Sequence, residues 1–331
     1  MGHRTFLRWR FRTDDDRVVT AVRAVDTATH PDYRRRGILR RLTLQGVAEL
    51  TMAGDGIVFS TSNDASCPGY LTMGWTVVRR LPVGVLPSGP RRVARMAASW
   101  VPAALWSETC SAGFEARDVL TRRGVAEALL QYAANVGFRT DRTPEHLAWR
   151  TGFEPPHYRL LLTWPQDPAQ GGIIFRLRRR GASIEAVIPE QLVPDRMTCV
   201  RLVTRILREM RADYAIGLLT GPSVGLLPLP GQRPLLTVRP LAATPPPRSD
   251  WTLALGTSNC SDDVRRGRPI GHGPAHTVSL SVTVSAASIS HAPRREPPRA
   301  PVAHSRAGCA GPSRHRPGSR SPAGASASSR C

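Results

Sequence analysis

"THPDYRRRGILRRL", residues 29–42, holds a proline, three consecutive arginines, a glycine and then the start of an apolar helical spacing. Pro31 disfavours helix before it, so residues 30–36 read as a loop. From Gly37 the apolar positions Ile38, Leu39, Leu42, Val47 and Leu50 fit one helix face, which ends near "AGDG" at 53–56. Upstream, "FLRWRF" (6–11) and "VVTAVRAVDTAT" (18–29) read as two strands joined by the polar turn "RTDDDR". The quoted stretch is therefore a strand–loop–helix junction. At such a junction the unpaired N–H groups of the first helical turn converge on one spot, and the helix dipole adds positive charge there. Gly37 lets the backbone approach a bulky anion, and Arg34, Arg35 and Arg36 add charge-assisted contacts around the rim. A di- or polyphosphate is the natural ligand.

The 331 residues suffice for two domains, and a 41% hydrophobic content supplies a core. The formal net charge is +21, and all 46 basic residues are Arg, with no Lys. A chain selected for nucleic-acid binding would normally use both, so the arginine excess points partly to coding bias. It predicts non-specific stickiness to polyanions more than a dedicated nucleic-acid function. The six cysteines show no CxxC and no metal-ligand spacing, which reads as reduced thiols in a cytosolic protein. No apolar run is long enough for a signal peptide or a membrane span, so a soluble, cytoplasmic protein with no metal is expected.

Three zones follow from the pattern: 1–105, 106–256 and 257–331. In the first, "GIVFSTS" (56–62) is the next strand, "NDASCPGYLTMGW" (63–75) a turn and short helix, and "TVVRRLPVGVL" (76–86) one further strand. The second opens with helix over 114–137. Strands follow at 157–164, 172–180 and 182–193, a helix at 196–212, and strands near 213–219, 234–241 and 251–256. The third carries 11 Arg against 3 acids in a Ser, Pro, Ala and Gly background, and disorder is expected. Within it "HTVSLSVTVSAASIS" alternates like a strand without an evident partner, and the break after Gly256 resembles a shifted reading frame. "TRRGVA" (121–126) and "RLRRRGAS" (176–183) repeat the Arg-Gly theme in a helical setting and in a hairpin turn, so neither reads as an anion loop.

"TATHPDYRRRGIL" resembles the acetyl-CoA loop of the GCN5-related N-acetyltransferases, whose signature is Gln/Arg-x-x-Gly-x-Gly/Ala after the fourth strand. Arg34 matches the first position and Gly37 the fourth, and Leu39 stands where Gly or Ala is usual. A branch similar to the mycobacterial enhanced-intracellular-survival acetyltransferases also carries Leu there. Asn63, Tyr70, Gly74 and Trp75 keep the spacing of a second family motif, with Trp for Phe. The resemblance covers about residues 5 to 86. It implies a mixed α/β fold, a twisted mixed sheet flanked by helices, with a second, degenerate domain of the same type at 106–256. It also implies a first domain, 1–105, that lacks the front strands and helices of the family, so that the acceptor and the general base stay unread.

The resemblance further implies acetyl-CoA as cosubstrate and transfer of its acetyl group to a primary amine by direct attack. Thr27, Ala28 and Thr29 would pair with the pantetheine arm where the fourth and fifth strands splay, one N–H polarising the thioester carbonyl; plain strand is the other reading. Arg34, Arg35, Arg36, Gly37, Ile38, Leu39 and Arg40 would hold the pyrophosphate, or form a solvated face. Asn63 would contact the cofactor arm or cap the short helix. Tyr70 would protonate the leaving thiolate, or pack that helix on the sheet. Asp26 and Asp32 are carboxylates near the site, and His30 reads as structural. The alternatives are a catalytically inactive CoA-binding pseudoenzyme or fragment and, behind it, an Arg-rich nucleic-acid binder.

Overall fold

The computed structural model describes residues 2–62, 66–99, 101–219, 226–229, 234–243, 245, 250–253 and 280–284. The chain divides into two units, Met1–Ser288 and Ile289–Cys331, and every described residue lies in the first.

The first two strands, β1 (Gly2–Arg12) and β2 (Val18–Thr29), pair antiparallel over their full length. Strict alternation decides which side chains of β1 go where. Leu7, Trp9 and Phe11 enter a core between two sheets, and Phe6 enters a second core under the helix that follows β2. That helix, α1 (Ile38–Met52), buries Ile38, Leu42, Val47 and Leu50, the stripe read from the sequence, and turns Leu39 outward. It crosses to β3 (Ile57–Ser62), which runs parallel to β2. Gly46 lets α1 approach closely: a Cβ there would meet the Phe6 ring, with further ring atoms at 3.0 and 3.2 Å.

A short helix α2 (Cys67–Leu71) precedes β4 (Thr76–Arg80) and β5 (Val83–Pro87). The single strand expected over 76–86 is thus two. The break falls at Leu81-Pro82, where a proline cannot donate to a ladder, and the two halves enter different sheets. A helix not read from the sequence, α3 (Pro90–Ala98), comes next, and then β6 (Phe114–Glu115). The helix expected over 114–137 is confined to α4 (Ala116–Leu120) and α5 (Arg123–Leu130). Two more unread elements follow, β7 (Phe138–Thr140) and α6 (Pro144–Gly152), the latter capped by the Thr143 hydroxyl. The chain continues through β8 (Arg159–Trp164), β9 (Asp167–Arg180), β10 (Ser183–Leu192), α7 (Arg196–Glu209), β11 (Tyr214–Leu218), β12 (Leu227–Pro228), β13 (Leu235–Pro240) and β14 (Trp251–Thr252).

The mixed α/β architecture read from the sequence is present, as two mixed sheets with helices packed on them. The first has the order β14-β7-β1-β2-β3-β13-β4 and the second β12-β5-β11-β10-β9-β8-β6. The sheets do not divide at residue 105. β5 belongs to the second, while β7, β13 and β14 return to the first. The core between the sheets joins Trp9, Phe59 and Leu236 of one to Val83, Val187 and Leu218 of the other. Inside the span expected to be unstructured, a strand β15 (Leu280–Val284) pairs antiparallel with Gly2–Phe6 of β1; the rest of 257–331 lies outside the described residues.

Candidate active site

The parallel ladder between β2 and β3 contains three pairs, Ala21↔Ile57, Val22↔Val58 and Arg23↔Phe59, and then stops. Both strands go on. β3 remains paired to β13 through Ser62, and β2 remains paired to β1 through Thr29. The two therefore part like the arms of a V. The cause lies in β2. Its register against β1 shifts between Arg4↔Thr27 and Thr5↔Val25, so Asp26 is one residue too many. Such a bulge bends its strand and raises the local twist, which carries Thr27–Thr29 away from β3. Thr27 and Ala28 are exposed there, Thr29 half-exposed and Asp26 half-buried.

Past Thr29 the chain makes one short turn, Pro31–Tyr33, and three arginines before α1. Gly37 takes φ 69°, the left-handed region, with no atom within 4 Å of where a Cβ would stand. Arg35 adopts φ 61° without being glycine, a conformation that costs an L residue about 1–2 kcal/mol. The first intrahelical bond runs from the Arg41 N–H to the Gly37 carbonyl at 3.0 Å. The N–H groups of Ile38, Leu39 and Arg40 precede it and lack an intrahelical acceptor, and no side chain caps this end. Arg34, Arg35, Arg36 and Arg40 are exposed, and the Arg36 guanidinium lies 5.1 Å from the Tyr33 ring centre. His30 and Asp32 pair with each other at 3.5 Å. Ile38 is buried and packs over Gly2 of β1, which places the start of α1 beside the end of β2.

Tyr70 lies in α2, half-buried, with its ring 5.3 Å from Trp75 in an edge contact. Its oxygen accepts a hydrogen bond of 2.7 Å from Arg4 Nη2. Asn63 lies outside the described residues. Geometry thus groups Thr27–Thr29, the arginine loop and Tyr70 around the parting strands. It adds one residue that sequence reading missed. Arg4 is 2% exposed and donates through Nη1 to Thr27 Oγ1. The sequence pattern starts the first strand at Phe6, which leaves Arg4 outside it. The signal was the alternation Arg4-Phe6-Arg8, which puts all three on one face. Of the two other Arg-Gly stretches, Gly181, at φ 55°, turns the β9–β10 hairpin as expected, whereas Arg123-Gly124 opens α5 after a break from α4 where one continuous helix is expected.

No family model and no curated protein matches this sequence. Among solved structures, the chain is similar to a GCN5-related N-acetyltransferase from Anabaena variabilis ATCC 29413, at 16% identity and a TM-score of 0.48 over 71% of this chain and 58% of that one. A GCN5-related N-acetyltransferase from Kribbella flavida shows 13% identity and a TM-score of 0.44 over 72% and 57%. Eis1 from Mycobacterium abscessus shows 14% and 0.42 over 72% and 61%. The likeness is partial, with every TM-score below 0.5. It reaches neither substrate nor site residues, and the chain spans less than two thirds of the length of each of these three proteins. Among the described residues no helix is long and apolar enough to cross a membrane.

Proposed function

We propose that the chain is an acetyl-CoA-dependent N-acetyltransferase acting on a primary amine in the cytoplasm. The reading rests on the early end of the β2–β3 ladder, with an uncapped helix N-terminus and an arginine loop beside it. Acetyl-CoA would supply an activated thioester. The residues present fit it. The Ile38, Leu39 and Arg40 N–H groups and the arginines at 34–36 would hold the pyrophosphate, and the open face of Gly37 leaves room for it. The β2 edge at Thr27–Thr29 has no ladder partner on the β3 side among the described residues, so its backbone groups are available to an extended pantetheine arm. An N–H on this edge would stabilise negative charge on the carbonyl oxygen.

The neutral amine attacks the acetyl carbon directly. As the new C–N bond forms and the C–S bond breaks, Tyr70 gives its hydroxyl proton to the sulfur, and the surplus proton on nitrogen passes to water. Since the Tyr70 oxygen accepts from Arg4, its own hydrogen stays free to be donated. Two related halves belong to the same proposal, divided by sheet and not by a cut at residue 105, with the first sheet carrying the chemistry.

Thiol release from acetyl-CoA over a panel of amines, with calorimetric titration of CoA, tests the reading. Saturable binding with amine-dependent thiol release is expected. Saturable binding without turnover on any amine would favour the non-catalytic CoA-binding reading. Failure to bind CoA, with affinity for oligonucleotides falling steeply as salt rises, would favour the nucleic-acid reading.

A further inference from the structure

Arg4 carries a positive charge in a place that normally demands a counter-charge. Burying a guanidinium is costly unless it is paired and hydrogen-bonded. Among the described residues no carboxylate pairs with Arg4. Among the described residues its hydrogen-bond partners are two neutral hydroxyls, Thr27 Oγ1 through Nη1 and Tyr70 Oη through Nη2. Its Nε is buried without a partner. The guanidinium carbon also lies 5.5 Å from the Tyr70 ring centre and 5.4 Å from that of Phe6. Arg8, four residues on along the same face, instead reaches Asp55 at 3.3 Å. The fold can thus supply a carboxylate to this face, and at Arg4 it supplies two hydroxyls.

Those two hydroxyls belong to the bulged end of β2 and to α2, the elements that flank the parting strands. A planar fork with fixed donors ties both to one point and leaves an unbalanced positive charge beside the phenol. We propose that Arg4 is a positioning residue for acetyl transfer: it fixes the Tyr70 oxygen against the bulged end of β2 and stabilises the negative charge that the phenol acquires on giving up its proton. The inference rests on the acetyltransferase reading above. It adds a residue that acts through Tyr70 without touching the substrate.

A double-mutant cycle on kcat decides it, with Arg4→Met, Tyr70→Phe and the pair, in full-length protein saturated with acetyl-CoA. Arg4→Met should lower kcat about tenfold or more, the equivalent of one charge-assisted hydrogen bond, with the KM for acetyl-CoA little changed. In the Tyr70→Phe background the same substitution should cost nothing further, because its route is gone. Arg4→Lys, which keeps charge and loses the fork, should fall between wild type and Arg4→Met; it carries the cycle if Arg4→Met does not fold. Losses that add independently, or an unchanged kcat in a wild type that turns over, overturn the role of Arg4 and leave the acetyltransferase reading standing. A wild type that neither binds CoA nor releases thiol overturns both.

Discussion

Two of the buried clusters that set guanidinium beside phenol, one against each sheet, differ in what stands at the centre. In the second sheet Glu185 is fully buried and takes Arg178, Arg180 at 3.0 Å, and the Tyr214 hydroxyl at 2.7 Å. There the tyrosine donates and a carboxylate sits at the centre. Burial pushes the Tyr214 phenol well above its ordinary range, and the Glu185 charge pushes it further. In the first sheet the guanidinium of Arg4 is at the centre and the Tyr70 oxygen accepts. One cluster sets a carboxylate between its two guanidinium groups. The other holds an excess of positive charge beside a strand edge that pairs with nothing among the described residues. Under the proposal above, the contrast separates a group that holds the fold from one that meets an anion arising during reaction.

The largest test of that contrast removes the central carboxylate. Glu185→Gln takes the carboxylate away from two mostly buried guanidinium groups and should destabilise the protein by about 3–5 kcal/mol in urea unfolding. It should also flatten the acid limb of stability. Burial pushes the Glu185 carboxyl up, but Arg178, Arg180 and Tyr214 outweigh it and hold it below its ordinary 4.5. A carboxyl depressed on folding contributes stability above its unfolded value and loses it as pH falls through the folded one. Wild type should therefore weaken as pH drops below about 4.5, and Glu185→Gln should weaken less steeply.

Next come the two tyrosines. Tyr70→Phe should lower kcat about 10²-fold with CoA affinity nearly unchanged, whereas Tyr214→Phe should lower stability and spare kcat. Equal effects of the two on kcat would erase the distinction. Gly46→Ala, which drives a methyl into the buried Phe6 ring on the Arg4 face, should cost about 1–3 kcal/mol of stability despite the better helix propensity of alanine. The smallest effect belongs to the loop. Arg35→Gly relieves the strained φ and should leave stability level or slightly raised, while weakening CoA binding severalfold as one charge leaves the rim. Tighter CoA binding would remove Arg35 from the phosphate site.

The junction at 29–42 was legible because its signals are local: a proline, a φ-permissive glycine and a helical stripe each act within a few residues. The strand β2 and the helix α1 follow them closely. What escaped depends on partners distant in sequence. β7 is three residues long and is specified by Phe11 and Trp251, against which Phe138 packs. The bulge at Asp26 exists only relative to the register of β1, and Arg4 gains its meaning from Thr27 and Tyr70. Leu81-Pro82 carried a visible break, yet only the sheets reveal that the chain changes layers there.

β13 lies between β3 and β4, with Leu236 and Thr237 fully enclosed. A ribosome delivers this chain from the amino end, so the neighbour that seals one flank of β3 arrives some 170 residues after it. Until then a nascent polypeptide presents an open, apolar ribbon to the cell. Holdase chaperones should find their longest dwell on that ribbon, and expression of the front third by itself should yield insoluble product.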